Sequence, residues 1–424
     1  MKANDLKGIV TARRLLSLAA VALAAASCDQ LLDVEAPSEI PAENLEGPES
    51  ADLLLGGAIG DFECAFGAYV VLGGVLSDEL EDATQTAARW PYDQRDVDAE
   101  DENLYATASC VGLGVYTPLS TARWSAENIL GKLEGWTDAE VEDRTSKIAA
   151  AAAYSGYSHL LLGEGFCSGV LLDSELEPGG EVSRGQLFAF AEERFTRAIE
   201  AAQASGDDEI LNTALVGRAR VRLDQGDESG AAADASLVAE GFERVATASG
   251  ASSRRFNRVW AQNRPSVALT SVDPQFQDLE FGGVPDPRVP TEDTGETSPT
   301  GVRVVAQLKY TDVGDPLPIA TWDEAQLIIA EVEGGQTAVD IINFFHDRAG
   351  LPPFASTDEA EIQAQVQEER KRELFLESHR FHDIERLGQP LIPAPGTPYR
   401  NGGEYGSTLC LPLPDDETVN NPNI

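Results

Sequence analysis

Positive charge is what this sequence has least of. Of 424 residues, 31 are Lys or Arg and 72 are Asp or Glu, a formal net charge of −41. Six of the basic residues are lysine. Nucleic acid is excluded as a partner, because phosphate binding needs clustered positive charge. The acidic, lysine-poor balance reads as a solubility device for salty surroundings and says little about a ligand. Histidine is scarce too, with four residues, and cysteine numbers five. No C-x-x-C or Cys/His spacing forms a zinc site. A P-loop, a dinucleotide fingerprint and a nucleophile elbow are all missing. Neither a metal nor a cofactor is expected.

The N-terminus sets the address. Lys2, Lys7, Arg13 and Arg14 precede an apolar run from Leu15 to Ala26, the layout of a secretory signal. The run is too short to span a bilayer, which takes about twenty residues. Ala25-Ala26-Ser27-Cys28 resembles the lipobox cleaved before its cysteine, with Ala25 where the pattern prefers Leu. Residues 1–27 are thus expected to be a signal peptide, Cys28 the lipidation site and 28–48 a tether. Ordinary cleavage that leaves Cys28 a free thiol is the alternative, and Arg13-Arg14 also hints at twin-arginine export. After Cys28 no further apolar run approaches membrane-spanning length, so the membrane is expected to be met through the lipid anchor only.

Lipidating Cys28 leaves Cys64, Cys110, Cys167 and Cys410, an even number in an exported chain and so two disulfides with three possible connectivities. Cys64 and Cys110 flank the segment joining the first two helices. Cys167 follows a helix end and Cys410 precedes the extended tail. The expected pairs are Cys64–Cys110 and Cys167–Cys410.

Apolar periodicity along the mature chain is mostly helical. Leu54, Ala58, Phe62, Phe66 and Val70 recur at helix spacing between Ser50 and Leu76. Asp82 to Glu102 is polar and reads as a long loop. Leu119, Ala122, Ala126, Ile129, Leu130 and Leu133 share one helix face, and an Ala-rich helix from Asp138 stops at Gly163 and Gly165. Three helices follow between Ser183 and Glu240. The middle one carries Ala214, Gly217, Ala219 and Val221 where a partner helix can come close. Small residues at contact points beside Gly-Asp turns resemble degenerate tetratricopeptide repeats, which must stack to bury their faces. Between Gly241 and Pro318 the periodicity gives way to irregular loop, with a short hairpin near Val302 to Tyr310. A stretch of this kind is often functional. Helix resumes over Trp322–Glu333, Thr337–Ala349 and Asp358–Leu387.

The last of these helices is densely charged. On an ideal helix Glu377 projects between Leu374, Phe381 and Ile384, with Arg380 at the edge of that apolar face. A charge facing a core must be paired. Glu377 with Arg380, and Asp383 with Arg386, have the three-residue spacing for it. An ion-paired core helix is favoured over acid–base catalysis here, and His379 with His382 lacks a third ligand for a metal.

Glu369 to Gly388 resembles the E-R-x-x-E-L-x-x-E-x-x-R-x-x-D-x-x-R-x-G signature of SusD/RagB-family nutrient-binding lipoproteins. Similar to the same family, in order, are Cys28 to Asp33, Ala122 to Leu130 with Asn128, Ala152 to Gly165, Lys309-Tyr310, Trp322 to Glu331, Asn343 to Leu351 and the closing stretch from Cys410 to Asn423. Thr321 and Asp323 stand where that family usually has an Arg-Tyr pair, and the chain is short for it. The resemblance implies a mainly α fold: a tetratricopeptide-like scaffold, with pairs at about 118–240 and 322–388, supporting an irregular, loop-rich ligand face at about 241–318. All of this would lie in a single domain, 49–424. It further implies a surface-facing outer-membrane lipoprotein, not an enzyme, delivering oligosaccharide or peptide to a SusC-like TonB-dependent transporter. A helical glycoside hydrolase, with two carboxylates across a cleft, and a protein-binding repeat scaffold are the alternatives.

Sugar capture needs rings to stack on apolar sugar faces and polar neighbours for the hydroxyls. Arg89, Trp90, Tyr92 and Asp93 in one loop, with Asn257, Arg258 and Trp260 at the edge of the irregular region, are the expected ligand residues. Trp124, on a helix, is expected in the core.

Overall fold

The structure is a computed structural model that describes residues 45–419 and 421–424. The signal segment, Cys28 and the tether up to residue 44 lie outside the described residues. Residues Ala51–Ile424 form one compact unit.

Ten helices of seven or more residues are described in this unit: α1 Ala51–Leu76, α2 Tyr116–Gly135, α3 Arg144–Gly165, α4 Arg184–Ser205, α5 Asp208–Asp224, α6 Glu228–Ala235, α7 Trp322–Glu333, α8 Gly335–Ala349, α9 Glu359–Glu373 and α10 Arg380–Arg386. The segment holding α1 corrects one reading of the sequence. From Pro48 to Leu76 it is long and apolar enough to cross a membrane, yet 78% of its most apolar window is buried inside the protein. Every residue from Cys64 to Leu76 is buried, so the C-terminal half of α1 is a core helix wrapped on all sides, while Asp52, Leu53, Gly56 and Gly57 nearer its start are exposed.

The stacking of α3, α4 and α5 follows from small residues. A Cβ added at Gly156 of α3 would meet the Phe195 ring of α4 at 2.7 Å, and one at Gly217 of α5 would meet it at 2.4 Å. The two glycines clamp one ring between three helices, and Tyr157 lies edge-on to it at 4.9 Å. Each helix also has its own stop or start. Ser183 and Gln186 form a capping box that opens α4, and Gly206, at φ 72°, ends it.

The region 241–318 is less irregular than its composition implies. Short antiparallel ribbons run through it: Thr291–Thr297 with Arg303–Gln307, Leu317–Thr321 with Glu243–Ala246, and Thr270–Val272 with the distant Leu80–Asp82. Asp82 to Glu102 likewise holds a short helix, Trp90–Gln94, opened by Pro91 and closed by Arg95 in the left-handed region. Both disulfides join the expected partners, Cys64 with Cys110 and Cys167 with Cys410.

The expected helix over Asp358–Leu387 is two helices. It breaks after Glu373 and restarts at Arg380, with Leu376 at φ 55° and Ser378 at φ 77° between. The break undoes the expected Glu377–Arg380 pair, since the two side chains no longer share a helix face. Glu377 instead pairs with Lys309 at 2.6 Å, and Arg380 with Asp78, beyond the end of α1, at 2.6 Å. Asp383 and Arg386 do pair, at 2.8 Å, and Asp383 takes Arg370 as well at 3.0 Å.

These pairs belong to a buried belt of charge. Arg220 of α5 grips Glu164 of α3 with two bonds of 2.6 Å. Arg288 and Arg372 share Asp286, at 2.7 and 3.0 Å. His346 meets Glu369 at 2.9 Å. The belt thus ties α1, the helical repeats and the ribbon region to the C-terminal helices. Burial pushes the carboxyls of Glu79 and Glu324 up to about 8, against the pull of neighbouring cations. Asp383 goes the other way, held well down by Arg370 and Arg386 against its desolvation.

Candidate functional site

The seven expected ligand residues fall into two kinds. Tyr92, Asp93, Asn257 and Arg258 are all buried, with side chains committed to the protein. Tyr92 donates to the Asp101 carbonyl at 2.6 Å. Asp93 accepts from Tyr399 at 2.8 Å and pairs with Arg400. Asn257 caps the short helix Arg258–Gln262 by accepting from the Trp260 amide at 2.8 Å. Arg258 donates to the Ser253 carbonyl. These four shape the backbone of the two segments. Burial raises Asp93 to about 6 in spite of Arg400, and the neighbouring Glu81 to about 8.

Arg89, Trp90 and Trp260 are half-buried and reach the surface. Arg89 pairs with Asp82 at 2.5 Å and donates to Gln262 at 3.3 Å, so the two segments do meet. The Trp90 indole N–H points to the Thr84 carbonyl at 3.4 Å. The indole of Trp260 is fixed by a 3.1 Å bond to the Thr311 carbonyl and capped by the Arg264 guanidinium, 3.7 Å from the ring centre. Trp124, expected in the core, is half-buried near the middle of α2.

Beside Trp260 opens a cleft of about 510 Å³ that sequence reasoning missed. Its floor is the N-terminal half of α1, and its far wall is the segment 244–257 with Leu317. Glycines make the room: at Gly56 and Gly60 an added Cβ would meet nothing within 4 Å. Phe256 lines the cleft and stands edge-on to Trp260 at 6.5 Å. One carboxylate, Glu63, is in the lining, and it is occupied by the Thr247 amide and hydroxyl at 2.9 and 2.8 Å. Three arginines, 244, 254 and 255, stand along the wall. The signal that could have found this place is local: residues 244–264 carry five arginines and no acid, in a chain of −41.

That island is unusual in how its charge is matched. Arg255, Arg258 and Arg264 have no carboxylate within 4.0 Å among the described residues, whereas nearly every belt arginine has one at 3.1 Å or less. Arg255 has only the Thr247 hydroxyl at 3.0 Å. The pattern offers hydrogen-bond donors and ring edges, with no built carboxylate pair. No group of three His, Cys, Asp or Glu among the described residues is placed to hold a metal ion.

The sequence of residues 324–409 matches the family model described as the SusD family. No curated protein matches the chain. Among solved structures, a SusD superfamily protein from Parabacteroides distasonis ATCC 8503 is similar, with a TM-score of 0.67 at 15% identity over 91% of this chain and 98% of that one. A laminarin-binding SusD-like protein is similar with a TM-score of 0.65 at 16% identity, over 89% and 99%. Surface glycan-binding protein A from Bacteroides fluxus is similar with a TM-score of 0.62 at 18% identity, over 80% and 89%.

Proposed function

We propose that this protein, which has the SusD fold and carries the SusD family pattern in residues 324–409, binds glycan at its surface and hands it to a TonB-dependent outer-membrane transporter. The observation that carries the glycan part is the cleft over α1, lined by Phe256, which stands edge-on to Trp260, and by Arg255, which no carboxylate occupies, while Arg244 and Arg254 beside it pair with Glu209 and Asp61. Rings supply the stacking surface, and free guanidinium N–H groups supply donors for hydroxyls. The solved proteins with this fold include one named for laminarin binding and one named for surface glycan binding, which supports glycan ahead of peptide. Arg89 and Trp90, joined to this side through Gln262, extend the face.

In the same proposal Cys28 carries the lipid that holds residues 49–424 at the outer membrane as a single domain. The test of the glycan reading is calorimetry of the purified mature protein against a panel of oligosaccharides, with analysis of the sugars afterwards. Uncleaved binding that Phe256→Ala and Trp260→Ala abolish, with melting temperature retained, is expected. Cleaved sugars would make it a glycoside hydrolase, and normal binding by both variants would move the site elsewhere. For the anchor, Cys28→Ala is expected to release the protein from membranes, and unchanged membrane fractionation would overturn it.

A further inference from the structure

A second pocket lies on the helical repeats, among α2, α3, α4 and the hairpin strand Ser168–Leu172. It has a volume of about 280 Å³, near the small end of ligand sites, which start at about 300 Å³. Two rings line it, Trp124 and Phe190, both half-buried. The Trp124 ring is locked in place by its N–H donating to the Asp173 carbonyl at 2.8 Å. His159 lies 5.7 Å from Phe190, with its Nδ1 3.0 Å from the Ser155 carbonyl. Burial keeps this imidazole neutral, its pKa lowered to about 4. Asn128 adds a carboxamide to the lining.

Arg123 completes the lining, and it is the unexplained group. Its side chain is 5% exposed. Nη1 donates to the Leu172 carbonyl at 2.8 Å, which pins the hairpin to α2. Nε and Nη2 are buried and have no partner. These two N–H groups lie along one edge of the guanidinium, the edge that grips a carboxylate with two parallel bonds. An unsatisfied buried cation is costly and calls for an explanation.

The surrounding charges leave that edge available. Glu127 is taken by Arg194 at 2.6 Å and by the Ser155 hydroxyl. The Asp173 carboxylate is turned back on the amides of Glu175 and Glu177, at 2.8 and 3.0 Å. With His159 neutral, the Arg123 charge is the one in the pocket with no counterion bonded to it.

We propose that this pocket binds a single uronic acid residue, its carboxylate on the Nε–Nη2 edge of Arg123, its ring against Trp124 and Phe190, and its hydroxyls at Asn128 and His159. This rests on the glycan reading for the class of ligand but uses a site on the opposite set of elements, so either can fail alone. The test is ligand-observed NMR of the purified mature protein with galacturonate, glucuronate, galactose, glucose and acetate. Both uronates, or one of them, should bind at least tenfold more tightly than the neutral sugars and acetate. Asn128→Ala and Arg123→Lys should each weaken that binding at least tenfold, while Trp260→Ala in the cleft leaves it unchanged. Arg123→Lys keeps the charge and loses the paired edge. If it does not fold, Asn128→Ala decides. Uronates that bind no better than galactose, or not at all, would overturn the proposal and leave ordered water as the partner of Arg123. So would full uronate binding by folded Asn128→Ala.

Discussion

Arginine is used in two ways in this molecule. In the belt around the C-terminal helices, Arg220, Arg288, Arg370, Arg380 and Arg386 are buried or nearly so and each is fastened to a carboxylate. Around the cleft, Arg255, Arg258 and Arg264 meet hydroxyls, carbonyls and a ring instead. With 72 acids in the chain, a carboxylate partner is easy to supply. Its omission at one place therefore means more than its presence at another. The belt is what holds the fold. In the island, Arg244 and Arg254 pair with Glu209 and Asp61 and Arg258 is buried, so it is at Arg255 and Arg264 that the surface keeps donors for something from outside.

That contrast is sharpest in stability, and it breaks first if the belt is unimportant. Arg220→Ala should cost about 3–5 kcal/mol, because it leaves Glu164 buried and unpaired. Arg380→Ala should act similarly through Asp78, lowering the melting temperature while any folded fraction keeps its ligand preference. A loss under about 1 kcal/mol for both in denaturant melts would put the belt on a par with surface pairs.

Replacing Cys167 and Cys410 together by Ser should cost about 2–5 kcal/mol, read in the same melts, since the bond closes a separation of 243 residues. Little change would show that the belt alone fixes the C-terminal tail.

Acidity probes the belt from another side. Glu79 and Glu324 are pushed from 4.5 up to about 8 by burial. A carboxyl raised in this way stabilises the fold fully below its unfolded pKa, and that stability is lost as pH rises through the folded value. Stability should therefore fall as pH rises from about 5 to about 8, by several kcal/mol, and Glu324→Gln should flatten the fall. A flat profile in the parent protein would contradict the burial argument.

The smallest stability effects belong to the island. Arg255→Ala and Arg264→Ala should each stay within about 0.5 kcal/mol of the parent, yet weaken glycan binding in calorimetry. A large loss of stability there would erase the distinction between the two regions.

Much of the helical frame was legible before the structure. Trp322–Glu333 agrees residue for residue, α1 differs by its first residue, and both disulfide partners were placed. Those features rest on local periodicity, or on positions flanking helices. What was not legible is non-local. The ribbon of Leu80–Asp82 with Thr270–Val272 joins segments about 190 residues apart. The break after Glu373 depends on Leu376 and Ser378 taking positive φ, which neither residue type advertises. Once it breaks, Glu377 and Arg380 find Lys309 and Asp78 rather than each other. The two loop segments meet through Arg89 and Gln262, but a helix cap at Asn257, carbonyl contacts of Tyr92 and Arg258, and the Tyr399 and Arg400 partners of Asp93 commit four of the seven expected ligand residues to the protein. The cleft itself depends on glycines of α1 facing a distant segment, and no spacing rule joins those.

The bond from Cys167 to Cys410 also closes a large covalent loop in the chain. Residues 168–409, with helices α4 to α10 and the region 241–318, lie inside its loop. A protease that cuts any peptide bond between them produces two chains that stay covalently joined. The nicked molecule would keep its mass in a non-reducing gel and separate into fragments only after a thiol is added. For a protein exposed to proteases, a cut in a surface turn would then be a scar rather than a loss.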